Sequence, residues 1–254
     1  MNRLPCILLF IVILFSSCAS RKDILYFQDA ADYSQAATAI KAVLVQPNDI
    51  LSVRIGALVP ETALPYNIQT GNTPTNSTLD ILKVQGYLVS PDETIVLPIL
   101  GAVSTAGLSV TDLETKIKLE LEKGGHLVNP TVAIRILNAK VTVLGEVKSP
   151  GTYTFLEQSL SVPQALGYAG DLTISAKRND ILLIRESGGK RIMMSVDLTT
   201  VNWMNDPKYQ IRQNDVLVVN PNDAKVKTAG FIGSTGTVLT IASLILSSII
   251  LLTR

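Results

Sequence analysis

Few residues in this chain could make or break bonds, and their positions decide which chemistry is open. There are two cysteines, Cys6 and Cys18, and one histidine, His126. A cysteine–histidine catalytic pair needs a thiol in the body of the chain, and both thiols lie at its start. A single histidine leaves most transition-metal sites short of ligands. It follows Gly124-Gly125 in a loop and reads as solvated or capping. Asp92 and Glu93 are adjacent in a Ser90-Pro91-Asp92-Glu93 turn, whereas glycosidase carboxylates face each other across a cleft. No catalytic residue, cofactor-binding residue or metal ligand is assigned, and no enzyme is expected. Cys18 stands apart, because the chemistry open to it is alkylation of its sulfur.

The setting of Cys18 argues for that alkylation. Arg3 supplies a positive end, and Ile7 to Phe15 is an unbroken apolar run, too short to span a bilayer that needs ~20 residues. Phe15-Ser16-Ser17-Cys18 resembles the bacterial lipobox, with Phe15 where leucine is usual. Diacylglycerol would join the Cys18 sulfur, and cleavage would discard residues 1–17 together with Cys6. An ordinary signal peptide with an incidental cysteine is the alternative. Ala19 follows Cys18, and the lack of aspartate there favours the outer over the inner membrane.

The charges exclude one class of partner. Lys+Arg number 22 and Asp+Glu 21, and losing Arg3 with residues 1–17 brings the formal charge to zero. No Lys/Arg run is present, so the counterion release that drives nucleic-acid binding has no source.

The elements that follow read as α+β. Residues 18–44 are polar and alanine-rich and form a tether. Asn48-Asp49, Asn179-Asp180 and Asn214-Asp215 each precede an apolar run, and each reads as a turn that launches a strand rather than a cation site. Gly86–Val89 and Thr94–Leu97 read as a hairpin around Ser90–Glu93. Thr111-Asp112-Leu113-Glu114 reads as a capping box opening a helix to about Lys123, with Leu113, Ile117 and Leu121 on one face. Val132, Ile134 and Ile136 alternate as in a half-buried strand. Val141–Leu144 and Thr152–Phe155 flank Ser149-Pro150-Gly151, which predicts a type II turn with Gly151 at positive φ. A short helix is predicted over 162–168, with Pro163 in its first turn. A further hairpin is predicted around Gly188-Gly189. Trp203, alone of its kind, reads as a packing residue.

The C-terminal stretch differs from the rest, with no charge between Lys227 and Arg254. A helix over 229–253 would reach roughly 35 Å, enough to cross a bilayer. Gly233, Thr237, Thr240, Ser243 and Ser247 fall on one stripe of it. Such a stripe suits a ring of helices with lipid outside and water or neighbours inside. A single bitopic anchor, whose small residues allow close packing, is the alternative.

Together these residues carry a resemblance. Pro47-Asn48-Asp49-Ile50-Leu51, Leu97-Pro98-Ile99-Leu100-Gly101 and Asn129-Pro130-Thr131-Val132 resemble the polysaccharide-export (PES) domain. Gly145-Glu146-Val147, Pro150-Gly151-Thr152-Tyr153 and Tyr168-Ala169-Gly170-Asp171 resemble the SLBB domain, a ligand-binding β-grasp module. In that order behind a lipobox they resemble Wza-type outer-membrane polysaccharide export (OPX) lipoproteins. The family's Pro-Gly-Asp turn is Pro47-Asn48-Asp49 here, and only one SLBB unit is visible. The resemblance implies a PES domain at 45–138, one SLBB domain at 139–221 and a transmembrane helix at 229–253. It implies a homo-oligomeric ring in the outer membrane with its body in the periplasm, conducting capsular polysaccharide or exopolysaccharide. It also implies an inner-membrane polysaccharide co-polymerase as partner. The competing expectation is a periplasmic lipoprotein that binds glycan or a partner protein, with a bitopic anchor and no pore.

Overall fold

Two aspartates fix where the principal strands begin. Gln46-Pro47-Asn48-Asp49 and Arg212-Gln213-Asn214-Asp215 each close with a backbone bond from the aspartate N–H to the first carbonyl, at 3.1 and 3.2 Å. Asn48 and Asn214 take left-handed φ of 70° and 62°, which asparagine tolerates better than most residues. The aspartate carboxylate then accepts the backbone N–H of the first turn residue, at 2.8 Å in both turns. The side chain therefore reaches three residues back along the chain. The third pair departs from expectation: Asn179 and Asp180 lie inside a strand and make no turn.

The structure is a computed structural model that describes residues 21–32, 42–68, 85–229 and 235–252. It is α+β, with two hydrophobic cores in sequence. In the first unit, β1 (Ile50–Gly56) is central, flanked antiparallel by β2 (Tyr87–Leu88) and β5 (Thr131–Ile136). β3 (Thr94–Leu97) pairs with β4 (Gly101–Ser104) instead of with β2. The Ser90–Glu93 turn does form, closed by a Ser90 N–H to Thr94 carbonyl bond of 2.9 Å. However, Asp49 and Ile50 capture the strand before it, while Pro98 and left-handed Gly101 give β3 a nearer partner. At that second turn Ile99 has φ 66° and is 56% exposed, a strained conformation for a β-branched side chain.

A single turn, α1 (Pro60–Ala63), follows β1, and α2 (Val110–Lys123) packs on the sheet. Val110, Leu113, Ile117 and Leu121 are buried on one face of α2. Each buried aliphatic of this size contributes about 1.5–3 kcal/mol. The cap lies two residues earlier than the sequence suggested. Ser109 is the N-cap and Asp112 its reciprocal partner, which frees Glu114 to accept the Ile134 N–H of edge strand β5 at 2.8 Å. That bond occupies a donor that an edge strand would otherwise offer to another chain.

The second unit is a five-stranded sheet in the order β7-β6-β10-β8-β9. Its strands are β6 (Lys140–Gly145), β7 (Gly151–Thr154), β8 (Ala176–Ser187), β9 (Lys190–Val196) and β10 (Val216–Pro221). β10 runs parallel to β6, and the other pairings are antiparallel. Gly188 and Gly189, at φ 58° and 71°, make the two-residue β8–β9 turn. The β6–β7 hairpin forms as expected, but Gly151 opens β7 without a positive φ, and Gly145 holds the left-handed position at φ 88°. Helix α3 (Val162–Tyr168) is capped by Ser161 and Gln164 and buries Val162, Ala165 and Leu166. Trp203 lies in this core and donates to the Thr200 carbonyl at 2.9 Å.

After β10 the chain forms α4 (Asp223–Thr228) and α5 (Thr235–Leu252). Of the helix expected over 229–253, the described part is α5, Thr235–Leu252; Ala229 caps α4, and residues 230–234 and 253 lie outside the described residues. Eighteen residues rise about 27 Å, short of a hydrocarbon core of ~30 Å. Among the described residues no helix is long and apolar enough to cross a membrane.

Candidate functional site

The residues singled out by sequence fall at the two ends of the chain. Cys18 and Gly233 lie outside the described residues, and Thr237 lies on α5. Thr240, Ser243 and Ser247 follow it on the same helix. Each hydroxyl donates to a carbonyl one turn back: Thr240 to Gly236 at 2.8 Å, Ser243 to Thr240 at 2.9 Å and Ser247 to Ser243 at 2.8 Å. A hydroxyl satisfied within its own helix costs little to place in an apolar medium. Leu239, Leu244, Ile245 and Leu251 are 55–82% exposed, so the apolar side of α5 has no cover within the described chain.

The segment that follows β10 and the first described segment are both fastened to the second unit. After β10, Lys225 of α4 pairs with Glu146 at 3.0 Å, and the Asn222 N–H bonds to the Ser175 carbonyl at 2.7 Å. At the N-terminal end, residues 26–29 of the expected tether lie along the chain after β9. Phe27 and Gln28 donate their backbone N–H to the carbonyls of Leu198 and Thr199, at 3.0 and 2.7 Å. The Asp29 carboxylate accepts the Val201 N–H at 2.9 Å. Tyr26 donates its hydroxyl to Asp171 at 2.6 Å, and Arg178 lies 5.3 Å over its ring. Burial, then the hydrogen bond to Asp171, pushes the Tyr26 phenol up to about 12. Sequence reasoning missed this clasp; the adjacent aromatics Tyr26-Phe27 in a polar stretch were the available signal.

The two units meet at the paired turns. Asp49, 2% exposed, accepts from the Gln213 side-chain amide, which also donates to Gln46 Oε1 at 3.3 Å. The junction residue Asn138 ties in the same turn, accepting the Ile50 N–H at 2.9 Å and donating to the Asn48 carbonyl at 2.8 Å. Beside this seam a cleft of about 250 Å³ opens between the units, lined in part by Arg135, Ile136, Phe155, Glu157, Arg212 and Gln213.

Burial holds the Asp49 carboxyl up at about 6, against the Gln46 N–H and the Gln213 amide, which pull it down. Its unfolded value is ~3.9. The folded state thus keeps a proton between about pH 4 and 6 that the unfolded chain has lost. The stability this contributes is fully present below about pH 4 and is lost as pH rises through about 6. Two pKa units amount to about 3 kcal/mol. Asp49→Asn should therefore gain on wild type by about 2–3 kcal/mol between pH 4 and pH 7 in urea titrations. Parallel pH profiles for the two proteins would show that Asp49 does not titrate in this window.

Comparison with known proteins agrees in order with the two units. Residues 37–137 match the family described as polysaccharide biosynthesis/export protein, and residues 140–196 match the SLBB domain. The chain is similar to the EPS I polysaccharide export outer membrane protein EpsA of Ralstonia solanacearum, 26% identical over 160 residues. That match covers 61% of this chain and 42% of the relative. The corresponding protein of Ralstonia nicotianae is 27% identical over 162 residues, covering 61% and 41%. The chain thus spans about two fifths of the length of these curated relatives.

Proposed function

We propose that this chain is a member of the polysaccharide biosynthesis/export family with an SLBB domain beside that family's own, and that it is an outer-membrane polysaccharide export protein. One observation carries the reading: the two family matches lie consecutively, 37–137 and then 140–196, on the two structural units in turn. The family is one of export proteins, not of enzymes. The protein's part is accordingly to assemble a path for capsular polysaccharide or exopolysaccharide.

The finer reading is a homo-oligomeric ring that works with an inner-membrane polysaccharide co-polymerase. Cys18 carries the lipid, and α5 sits in the outer membrane with its hydroxyl stripe toward water or a neighbour. The short α5 fits this role because the bacterial outer membrane is thinner than average. Its exposed leucine and isoleucine side chains and self-satisfied hydroxyls support it. Since the Tyr26–Asp29 clasp and α4 both attach to the SLBB unit, that unit lies nearest the membrane and the PES unit deeper in the periplasm.

The test is complementation of a deletion strain, read as polymer at the cell surface. The full chain should restore export, and a chain truncated before Phe231 should not, although its body keeps Trp203 fluorescence. Single cysteines in the full chain then examine α5. Thr240→Cys and Ser247→Cys should react with a small water-soluble thiol reagent in intact membranes, and Leu239→Cys and Ile245→Cys slowly. Surface polymer without the chain would defeat the export reading, and labelling that ignores helix face would leave α5 as an anchor alone.

A further inference from the structure

Two segments far apart in sequence are fastened to one short loop, Asp171 to Ser175, which joins α3 to β8. Its first residue takes the clasp. The Tyr26 hydroxyl donates to Asp171 Oδ1 at 2.6 Å, and the Leu172 N–H donates to the same oxygen at 2.7 Å. Its last residue takes the segment after β10, because the Ser175 carbonyl accepts the Asn222 N–H at 2.7 Å. Between them, Thr173 donates its hydroxyl to Glu146 Oε2 at 2.7 Å and its N–H to the Glu146 carbonyl at 3.0 Å. Glu146 Oε1 is the atom that holds Lys225 of α4.

The group that can transmit the state of the clasp to this loop is Arg178. It is 6% exposed, yet no carboxylate forms an ion pair with it among the described residues. Nη1 and Nη2 donate to the carbonyls of Ala176 and Thr173, both at 3.3 Å, which is long for such bonds. Nε is buried and has no hydrogen-bond partner among the described residues. The Tyr26 ring lies over this guanidinium, 5.3 Å from centroid to carbon. A buried cation so sparsely paired is costly to hold, and water is its better partner. With the clasp seated, the ring covers it. With the clasp lifted, the guanidinium gains by turning outward, and it then releases Thr173, the residue that fixes Glu146 for Lys225.

We propose that Arg178 and the Asp171–Ser175 loop form a two-position latch that makes seating of the N-terminal clasp and docking of α4 one cooperative event. In the closed position Tyr26 covers Arg178, Arg178 holds Thr173, and Glu146 holds Lys225. In the open position the clasp is off, Arg178 faces water and α4 is undocked. Coupling between separate segments requires such an element with two discrete arrangements, biased by both. The latch itself rests on the contacts of this loop; that it ties a lipid-bearing end to a membrane-seated α5 rests on the reading above.

Limited proteolysis of the full chain in detergent tests the latch, because cleavage of a locally opened segment follows the population of the open form. Trypsin after Lys225 and Lys227 reads α4, chymotrypsin after Tyr26 and Phe27 reads the clasp, and trypsin after buried Arg185 reads unfolding of the whole unit. Tyr26→Ala should speed cleavage of α4 about tenfold, an ordinary size for coupling between sites. Tyr26→Phe keeps a ring over Arg178 and should speed it less. Coupling is reciprocal, so Glu146→Ala should speed cleavage of the clasp by a similar factor. In an Arg178→Met background, Tyr26→Ala should change cleavage of α4 by less than about twofold, as for independent sites. Cleavage of α4 that ignores Tyr26→Ala overturns the latch, and so does an undiminished response in the Arg178→Met background. A matching rise at Arg185 would mean that Tyr26→Ala unfolds the unit; the Glu146→Ala measurement then decides, and clasp cleavage at the wild-type rate overturns the latch. None of these outcomes bears on export. Uncoupled segments leave the export reading standing, and polymer at the surface without the chain removes that reading while the latch stands.

Discussion

Asp215→Ala is expected to destabilise the SLBB unit by about 3–5 kcal/mol, the usual effect of leaving a buried charge without its partner. Arg185 and Asp215 are 4% and 1% exposed and face each other through two bonds, Nε to Oδ1 at 2.9 Å and Nη2 to Oδ2 at 2.6 Å. Arg185 also donates to the carbonyls of Lys208 and Gln210, at 2.9 and 2.6 Å. One guanidinium thus joins β8, the start of β10 and the segment between them. Removing Asp215 also releases the turn it closes through the Arg212 N–H. A domain with a total stability of about 5–15 kcal/mol loses a large share of it. Trp203, the sole tryptophan, packs edge-on against Tyr209 and gives the readout in a urea titration. The double variant Arg185→Met with Asp215→Leu should recover most of the loss, because a well-packed apolar pair often matches a buried ion pair. A single variant within about 1 kcal/mol of wild type would show that water reaches this pair.

Gly145→Ala should be comparably damaging for a steric reason. Gly145 has φ 88°, and a Cβ there would lie 2.0 Å from the Val219 carbonyl oxygen and 2.9 Å from its carbon. Both atoms are backbone of β10, so no side chain can swing aside. Relief requires β6 and β10 to separate at the one parallel pairing in the sheet. We expect a loss on the order of 3–5 kcal/mol, in the range of diagnostic core lesions. Gly151→Ala is the control. Its Cβ would meet only the Tyr153 side chain, at 3.6 Å and beyond, and its φ is not left-handed. A stability change within about 1 kcal/mol is expected there. Equal effects at the two glycines would refute the close approach of β10.

The contrast between these glycines shows what the sequence could reveal. Pro150-Gly151 is the stronger local turn signal, and local signals point to Gly151. The demand on Gly145 comes from β10, far along the chain and without a trace nearby. Features set by neighbours in sequence were legible: the buried face of α2, the alternation in β5, the α3 helix and the Gly188-Gly189 turn. Features set by partners were not. β2 reads as half of a hairpin until β1 claims it, and Asn179-Asp180 matches two true turns yet sits in a strand. The helix cap shifted because Ser109 and Thr111 are both sound caps, and Glu114 had a better use at Ile134. The cleft was illegible for the same reason. Arg135 and Arg212 lie on different units, and only the junction of those units makes them neighbours.

The clasp at Tyr26–Asp29 constrains the order of folding. Asp29 and Val201 are 172 residues apart, and the PES unit lies between them. On the export reading proposed above, a chain delivered N-terminus first presents the clasp residues long before Leu198 and Val201 arrive. The PES unit, whose contacts lie between β1 and β5, can condense in that interval. The clasp is therefore a late event. Closing so long a loop adds little entropy, since the cost grows only with the logarithm of length. Until it closes, Phe27 to Asp29 are not yet held by the second unit, and on the proposal that Cys18 carries a lipid, the attachment would fall in this interval. Once Leu198 and Val201 are in place, Phe27 to Asp29 are fixed against the body, and a lipid on Cys18, as proposed, would be tethered from that point.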